Sequence, residues 1–390
     1  MRDHDEMSDA ATIDPFLSET LRALRSGMAP PAFLNEVEHE AYWARIDFHG
    51  IAYLLHERRE ALSDWPQDLG DRIAEEARLL ALWEATHHKT VAQVVEALSR
   101  AGIDNVILKG TALAYSVHEI PAARRRGDTD LLVEPSALDD ARKIFAGLGW
   151  ERRERPAGIY HQESWQTGTP GVFEHTIDLH WQVVDRPFLQ RLLPSSAAWR
   201  DRAALTRFSE HAQRPDIATM IIHAVLNQAM HEQNGYFAEA GRMRGKLRLI
   251  WSVDLALLAE KCEGGGRDRL LHDCRERGIS PMIGQALAMA GEVGAPTSLQ
   301  ALVDELESAP LAPEVADFFT SQDTIGHFLA DLRAASGIAT KARLITARAI
   351  PSRRHLVGKY PLSRSWPTVL LRLRHLVELA RRLVQRGGLR

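Results

Sequence analysis

The 390 residues are 45% apolar and 26% charged, and 48 Lys and Arg against 52 Asp and Glu leave a formal net charge of −4, the profile of a soluble globular protein of two or three domains. The longest apolar runs, after Trp366 and around Ile221, meet an Arg or His every few residues, which excludes a bilayer span of about 18–20 residues. Cys262 and Cys274 are the only cysteines and lack CxxC spacing, which excludes a disulfide framework and a thiolate zinc site and leaves two core thiols.

In chain order, the acidic start MRDHDEMSDAA has no basic stretch followed by an apolar one, so nothing predicts a secretory signal and a cytosolic location is expected. Its Asp3-His4-Asp5 reads as part of a disordered terminus. Residues 1–99 are predicted to be helical, because apolar positions recur every three or four residues through Phe16, Leu17, Leu21 and Leu24, then Ile51, Leu54 and Leu55, then Leu79, Leu80, Leu82, Val91, Val94, Val95 and Leu98. The character changes over 100–186. Val106-Ile107-Leu108 suits a buried strand, Gly110-Thr111 ends it, and Ala112–Tyr115 begins a short helix. Asp128–Val133 is a second strand. A helix then opens at Pro135-Ser136, with Ser136 as N-cap, Leu138, Ala141, Phe145 and Leu148 as its buried stripe and Gly149 as its stop. Residues 159–166 and 172–183 flank Gly168-Thr169-Pro170-Gly171 as an antiparallel hairpin, which makes the sheet mixed.

Helical periodicity returns over 187–345, clearest at 217–231, 247–258 and 282–289. The segment 346–390 is basic and amphipathic. Its helix, from Pro367 to about Arg386, places Val369, Leu370, Leu373, Leu376, Val377, Ala380 and Leu383 on one side and most of its arginines on the other. Residues 331–390 hold fourteen Lys and Arg against two acids, a balance of +12 that leaves −16 on the preceding 330. Such a segment meets something anionic, whether nucleic acid, lipid headgroups or the acidic remainder of the protein, and the commoner arrangement packs its leucines onto the domain.

The chemistry concentrates in the α/β segment. Asp128 and Asp130 are two apart in a strand, so both carboxylates project from one face while Thr129, Leu131 and Val133 point into the core. Two carboxylates on one face suit a hard cation such as Mg²⁺. Asp178 lies in the apolar strand Thr176–Trp181 and shares a face with His180, where a carboxylate without a partner is costly to bury. It is the candidate third carboxylate, converging with the other two and helping to deprotonate an attacking hydroxyl. Lys109-Gly110-Thr111 joins a strand end to a helix start, a place where a backbone approaches phosphate, although the GxxxxGK[ST] pattern is absent. Arg124, Arg125 and Arg126 precede the aspartates as candidate phosphate clamps. His223 and His231 lie on one predicted helix and read as core or interface residues before catalytic ones, and His175 faces away from His180.

At these residues the chain resembles a known family. VILKGTALAYSVHEIPAARRRGDTDLLVEP and, later, HTIDLHW are similar to the bacterial uncharacterised nucleotidyltransferases of the DNA polymerase beta superfamily, with weaker similarity in FHGIAYLLHERR, IIHAVLNQAMHE and KLRLIWSVDLALL. The resemblance covers roughly 40–260. It implies an α+β fold in which a small mixed β-sheet nucleotidyltransferase core, 100–186, is flanked by predominantly helical N- and C-terminal regions. It implies transfer of a nucleoside monophosphate from an NTP to an acceptor, with Mg²⁺, as two ions, and release of pyrophosphate. Asp128, Asp130 and Asp178 would then be metal ligands, Gly110 and Thr111 the phosphate-contacting turn, and Lys109 and Arg124 the family's basic positions, with His180, Arg126 and His223 as secondary candidates. Gly-Thr replaces the superfamily's usual Gly-Ser or Gly-Gly, and Thr129 stands where an aliphatic residue is usual. A peptide or protein hydroxyl, a small molecule such as a sugar, and an RNA end all fit as acceptor, and the acidic bulk disfavours long nucleic acid. The alternative is a catalytically silent nucleotide-binding adaptor that docks a partner, such as an anionic surface, through the basic segment.

Overall fold

A computed structural model describes residues 2–34, 37–153, 161–169, 173–234, 236–238, 241–243, 247–294, 299–321 and 324–387. Helices α1 (Arg2–Arg25), α2 (His39–His49), α3 (Ala52–Glu57) and α4 (Gln67–Arg100) precede the sheet. Asp3-His4-Asp5 therefore lies within a helix and not in a disordered terminus. In the 34-residue α4 the buried stripe runs through Leu69, Ile73, Ala77, Glu84, His87, Val91, Val94, Val95 and Leu98, a spacing of three or four that keeps one side inward. Leu79 and Leu82, expected in that stripe, are exposed because they fall out of its phase. Glu84 and His87 take the inward positions, for reasons that emerge at the site.

Among the described residues, β1 (Asn105–Leu108), β2 (Asp128–Val133), β3 (Glu151–Arg152), β4 (Gln162–Thr169) and β5 (Phe173–His180) form one mixed sheet in the order β1-β2-β5-β4-β3. β2 is parallel to β5 and the other pairs are antiparallel. The expected hairpin is β4–β5, with part of its first arm and Pro170 and Gly171 of its turn outside the described residues. β1 is wholly buried and β2 nearly so, which explains their apolar runs: both faces are covered. α5 (Lys109–Ser116) joins β1 to β2, and α6 (Leu138–Gly147) follows β2.

Ser136 does not cap α6. Pro135–Ala137 form a single 3₁₀ turn, and the helix starts at Leu138 without a side-chain cap. Proline suits that first turn because its φ is already helical, while Asp139 and Asp140 favour the helix dipole. Ala141 and Phe145 are buried, but Leu148 is past the last turn and exposed, and Gly149 stops the chain at φ 80°.

Beyond the sheet lie α7 (Pro187–Leu192), α8 (Ser195–Trp199), α9 (Ile217–Asn234), α10 (Leu249–Glu260), α11 (Gly265–Arg277), α12 (Ser280–Gly291), α13 (Leu299–Glu307), α14 (Pro313–Thr320) and α15 (Thr324–Ala334). Then come α16 (Ile338–Ala349), α17 (Arg353–Lys359) and α18 (Thr368–Gly387). Buried apolar side chains from Ile13 to Phe318 make one continuous core, whereas Leu356, Tyr360 and Leu371 form a separate small one. Cys262 and Cys274 are buried free thiols, and burial pushes them up to about 11 and about 12. Among the described residues, no helix is long and apolar enough to cross a membrane. The inward packing expected for the leucines of α18 is not what the fold adopts: Leu370, Leu373 and Leu376 are exposed, and Leu371 and His375 are buried in their stead.

Candidate active site

Strand register assembles the site. The parallel pairing sets Asp130 opposite Asp178 and Leu132 opposite His180, while the antiparallel one sets Leu108, the residue before Lys109, opposite Asp130. Five expected residues from three strand ends, Lys109, Asp128, Asp130, Asp178 and His180, thus meet. Asp130 Oδ1 accepts hydrogen bonds from Lys109 Nζ at 2.7 Å and from His180 Nε2 at 2.8 Å. The other ring nitrogen of His180 lies 3.2 Å from the Gln182 carbonyl oxygen. Asp178 accepts from Ser164 Oγ and Gln162 Nε2 of the neighbouring strand β4, partners invisible in the sequence because the hairpin register sets them. Asp130, Asp178 and His180 each offer a ligand atom within 4.8 Å of the others.

The carboxylates are unequal. Burial works to raise Asp130, but the Lys109 ammonium and His180 outweigh it and hold that carboxyl far below the usual range. Among the described residues Asp128 has no such pair of donors, and burial, then the charges of Asp130 and Asp178, push it up to about 7 against the pull of Lys109 and His180. Burial would lower Lys109, yet Asp130 holds its ammonium above the ordinary lysine value. One cation among three carboxylates leaves an excess of negative charge, the condition under which a hard divalent ion is held by oxygen ligands. Asp130, Asp178 and His180 are the group that could hold such an ion, and the Asp128 carboxyl interacts with all three electrostatically.

Lys109 reaches Asp130 from an uncommon backbone. Its φ is 45°, and that left-handed residue turns the chain directly from β1 into α5 at a cost of about 1 kcal/mol. Gly110 is pressed against Arg126, whose Cδ would sit 3.3 Å from an added Cβ. The Thr111 hydroxyl turns inward and not toward a ligand: it meets Thr129 Oγ1 at 2.8 Å and accepts from Arg126 Nε at 3.0 Å. Thr129 Oγ1 also lies 2.8 Å from His87 Nε2, and His87 Nδ1 is 3.2 Å from His175 Nδ1. Thr111 and Thr129 are therefore the two ends of one hydrogen bond. His175 does face away from Asp178, toward α4.

The three arginines are each matched to a carboxylate. Arg124 Nε lies 2.7 Å from Asp254 Oδ2, and Asp254 also takes His118 Nε2 at 2.8 Å. Arg125 pairs with Asp47. Arg126 and the Tyr115 hydroxyl both donate to Glu84 Oε1, at 2.8 and 2.6 Å, so Arg126 supports the sheet from behind and does not enter the site. Glu84 and Asp254 went unnoticed in the sequence, although Asp254 inside LIWSVDLALL carries the same signal as Asp178: a carboxylate in an apolar run.

A cleft lies between Lys109, Gly110 and Arg124 on one side and α9 and α10 on the other. His223 lines it with a buried Nε2 that has no hydrogen-bond partner among the described residues, and burial, then the Lys109 charge, push its imidazole down to about 3. Trp251 forms part of the opposite wall, with its ring stacked on His231 at 5.5 Å between centroids.

Residues 35–294 match the model of a protein family described as uncharacterised nucleotidyltransferase. No curated protein matches the chain. Among solved structures, an antigenic nucleotidyltransferase-like protein from Paracoccidioides brasiliensis matches at 14% identity and a TM-score of 0.38 over 58% of this chain and 95% of that one, a likeness too loose to carry an argument.

Proposed function

Because the chain belongs to the uncharacterised nucleotidyltransferase family, we propose that it transfers a nucleoside monophosphate from an NTP to the hydroxyl of a peptide, protein or small molecule. The observation that carries this reading is the meeting of Asp130, Asp178 and His180 with Lys109, with the Asp128 carboxylate acting on them electrostatically, beside a cleft lined by His223 and Trp251. Asp128, Asp130 and Asp178 would hold Mg²⁺, as two ions. The chemistry such ions supply is neutralisation of phosphate charge and acidification of an acceptor hydroxyl.

The chain's own residues do the rest. Lys109 carries a fixed positive charge at the mouth of the first turn of α5, whose backbone N–H groups favour an anion. Asp178, oriented by Ser164 and Gln162, accepts the hydroxyl proton. The acceptor oxygen then bonds to the α-phosphorus, the bond to the β-phosphate breaks, and pyrophosphate leaves. Positioning and electrostatics supply most of the acceleration. Arg124, turned to the cleft but tied to Asp254, sets the position of its wall and adds charge at a distance.

Calorimetric titration of ATP, GTP, CTP and UTP, each with and without Mg²⁺, tests the reading on the wild type and on a folded Asp128→Ala/Asp130→Ala variant. Mg²⁺-dependent binding that the variant lacks is expected. A folded wild type that binds none of the four overturns the proposal, and binding without any transfer to acceptor pools favours the silent adaptor.

A further inference from the structure

The outward face of α18 is unusual for a helix in a folded protein. At about 100° per residue, Val369, Leu370, Leu373, Leu376 and Val377 fall within an arc of about 120°, and their exposures are 65, 47, 53, 40 and 53%. Leu371 and His375 occupy the opposite side and are buried, against Tyr360 and its neighbours. The helix is therefore anchored by its narrower, partly polar side and presents its apolar stripe outward. Arg372 falls at one edge of that stripe, and Arg374 and Arg381 at the other. Trp366, 42% exposed, stands just before the first turn. In α16 no side chain is buried, Ile338 is 87% exposed, and Lys341, Arg343 and Arg348 add positive charge.

We propose that α18 docks on an anionic lipid bilayer, lying in the interface with its apolar stripe among the acyl chains and its flanking arginines at acidic headgroups. Charge selects this occupant over a second copy of the chain. Two α18 helices face to face would bring together ten arginines against two glutamates, whereas an acidic leaflet answers the +12 of residues 331–390 directly. An apolar stripe bordered by Arg, with Trp at its end, is the pattern of a helix that lies along a membrane surface. The bulk of the protein, at −16, is repelled by the same leaflet, so the contact is confined to this segment.

The test is sedimentation of the whole chain with vesicles of phosphatidylcholine alone or with added phosphatidylglycerol, whose headgroup charge attracts polybasic segments. Binding to the acidic vesicles is expected, at least tenfold stronger than to neutral ones and weaker at high salt. Leu373→Glu/Val377→Glu changes two exposed residues and is expected to reduce that binding at least tenfold while leaving the circular dichroism and NTP titrations unchanged. Three results overturn the proposal: no preference for acidic vesicles; equal vesicle binding by the double variant; or a wild-type dimer in sedimentation equilibrium that the double variant dissociates, which assigns the face to a second copy. Because the readout is lipid partitioning, it stands or falls independently of nucleotide binding.

Discussion

Thr129 shows how a single hydroxyl can matter in a strand buried on both faces. Its Oγ1 is shared between His87 Nε2 and Thr111 Oγ1. Thr129→Val keeps the shape and β propensity but leaves the buried His87 Nε2 without its partner and takes one partner from Thr111, which keeps Arg126. Urea denaturation should report a loss of about 1–3 kcal/mol, and no loss would mean that Thr111 and His87 find other partners. Residue type and strand alternation make it legible that Asp128 and Asp130 share a face and that Asp178 and His180 share one, and the register then brings Asp130, Asp178, His180 and Lys109 together. Sequence reading failed for the inward turn of Thr111 and for the ties of the arginines to Asp254, Asp47 and Glu84, since each of those partners comes from a helix distant in sequence.

At the scale of elements, α2 and α10 finish each other. Arg248 Nε donates to the Phe48 carbonyl at the end of α2, and the Leu249 N–H at the start of α10 donates to His49 Nδ1. Each helix thereby satisfies groups its partner's own ladder leaves open. His49 Nε2 in turn meets Asp14 of α1 at 3.0 Å. Gly50 makes the exchange feasible: it stands at φ 68°, and an added Cβ would lie 2.7 Å from an Arg248 guanidinium nitrogen. Gly27 has the same φ with nothing within 4 Å, so Gly27→Ala isolates the conformational penalty of about 1 kcal/mol. Gly50→Ala should lower the melting temperature further than Gly27→Ala does, and equal shifts would show that Arg248 simply moves aside. Helix existence was legible from periodicity. The start of α6 was not, because Pro135 offered one cap geometry and Ser136 another, and the 3₁₀ turn used the proline.

The molecule as a whole carries several imidazoles in places unsuited to charge. Burial, then the charges of Arg126 and His175, push His87 down to about 2, and burial lowers His49, His118 and His175 as well. An unfolded histidine titrates near 6.5. Folded His87 therefore stays neutral while the unfolded chain gains a proton, so stability is whole above about pH 6.5 and declines as pH falls toward the folded value. Between pH 7 and pH 5 this one residue removes about 2 kcal/mol. Unfolding in urea at the two pH values should show that loss, with His87→Gln flattening it by a similar amount; parallel behaviour of wild type and variant would sink the assignment. The mixed sheet was readable from two strands joined by a helix and followed by a hairpin. The direction α18 faces was not, because an amphipathic pattern states that two sides differ and is silent on which one the rest of the chain will cover.

The parallel pairing of β2 with β5 has a kinetic meaning. Asp130 and Asp178 are neighbours in space, yet α6, β3 and β4 separate their strands along the chain. Local helices and the β4–β5 hairpin can form early, because their ends are close and little loop entropy is lost. The β2–β5 seam must wait for a long crossover to close, and it closes while bringing like charges together. A nascent or refolding chain is thus expected to acquire most of its helices and its hairpin before Asp130 and Asp178 meet, and the carboxylate cluster marks the late arrival of one long-range seam.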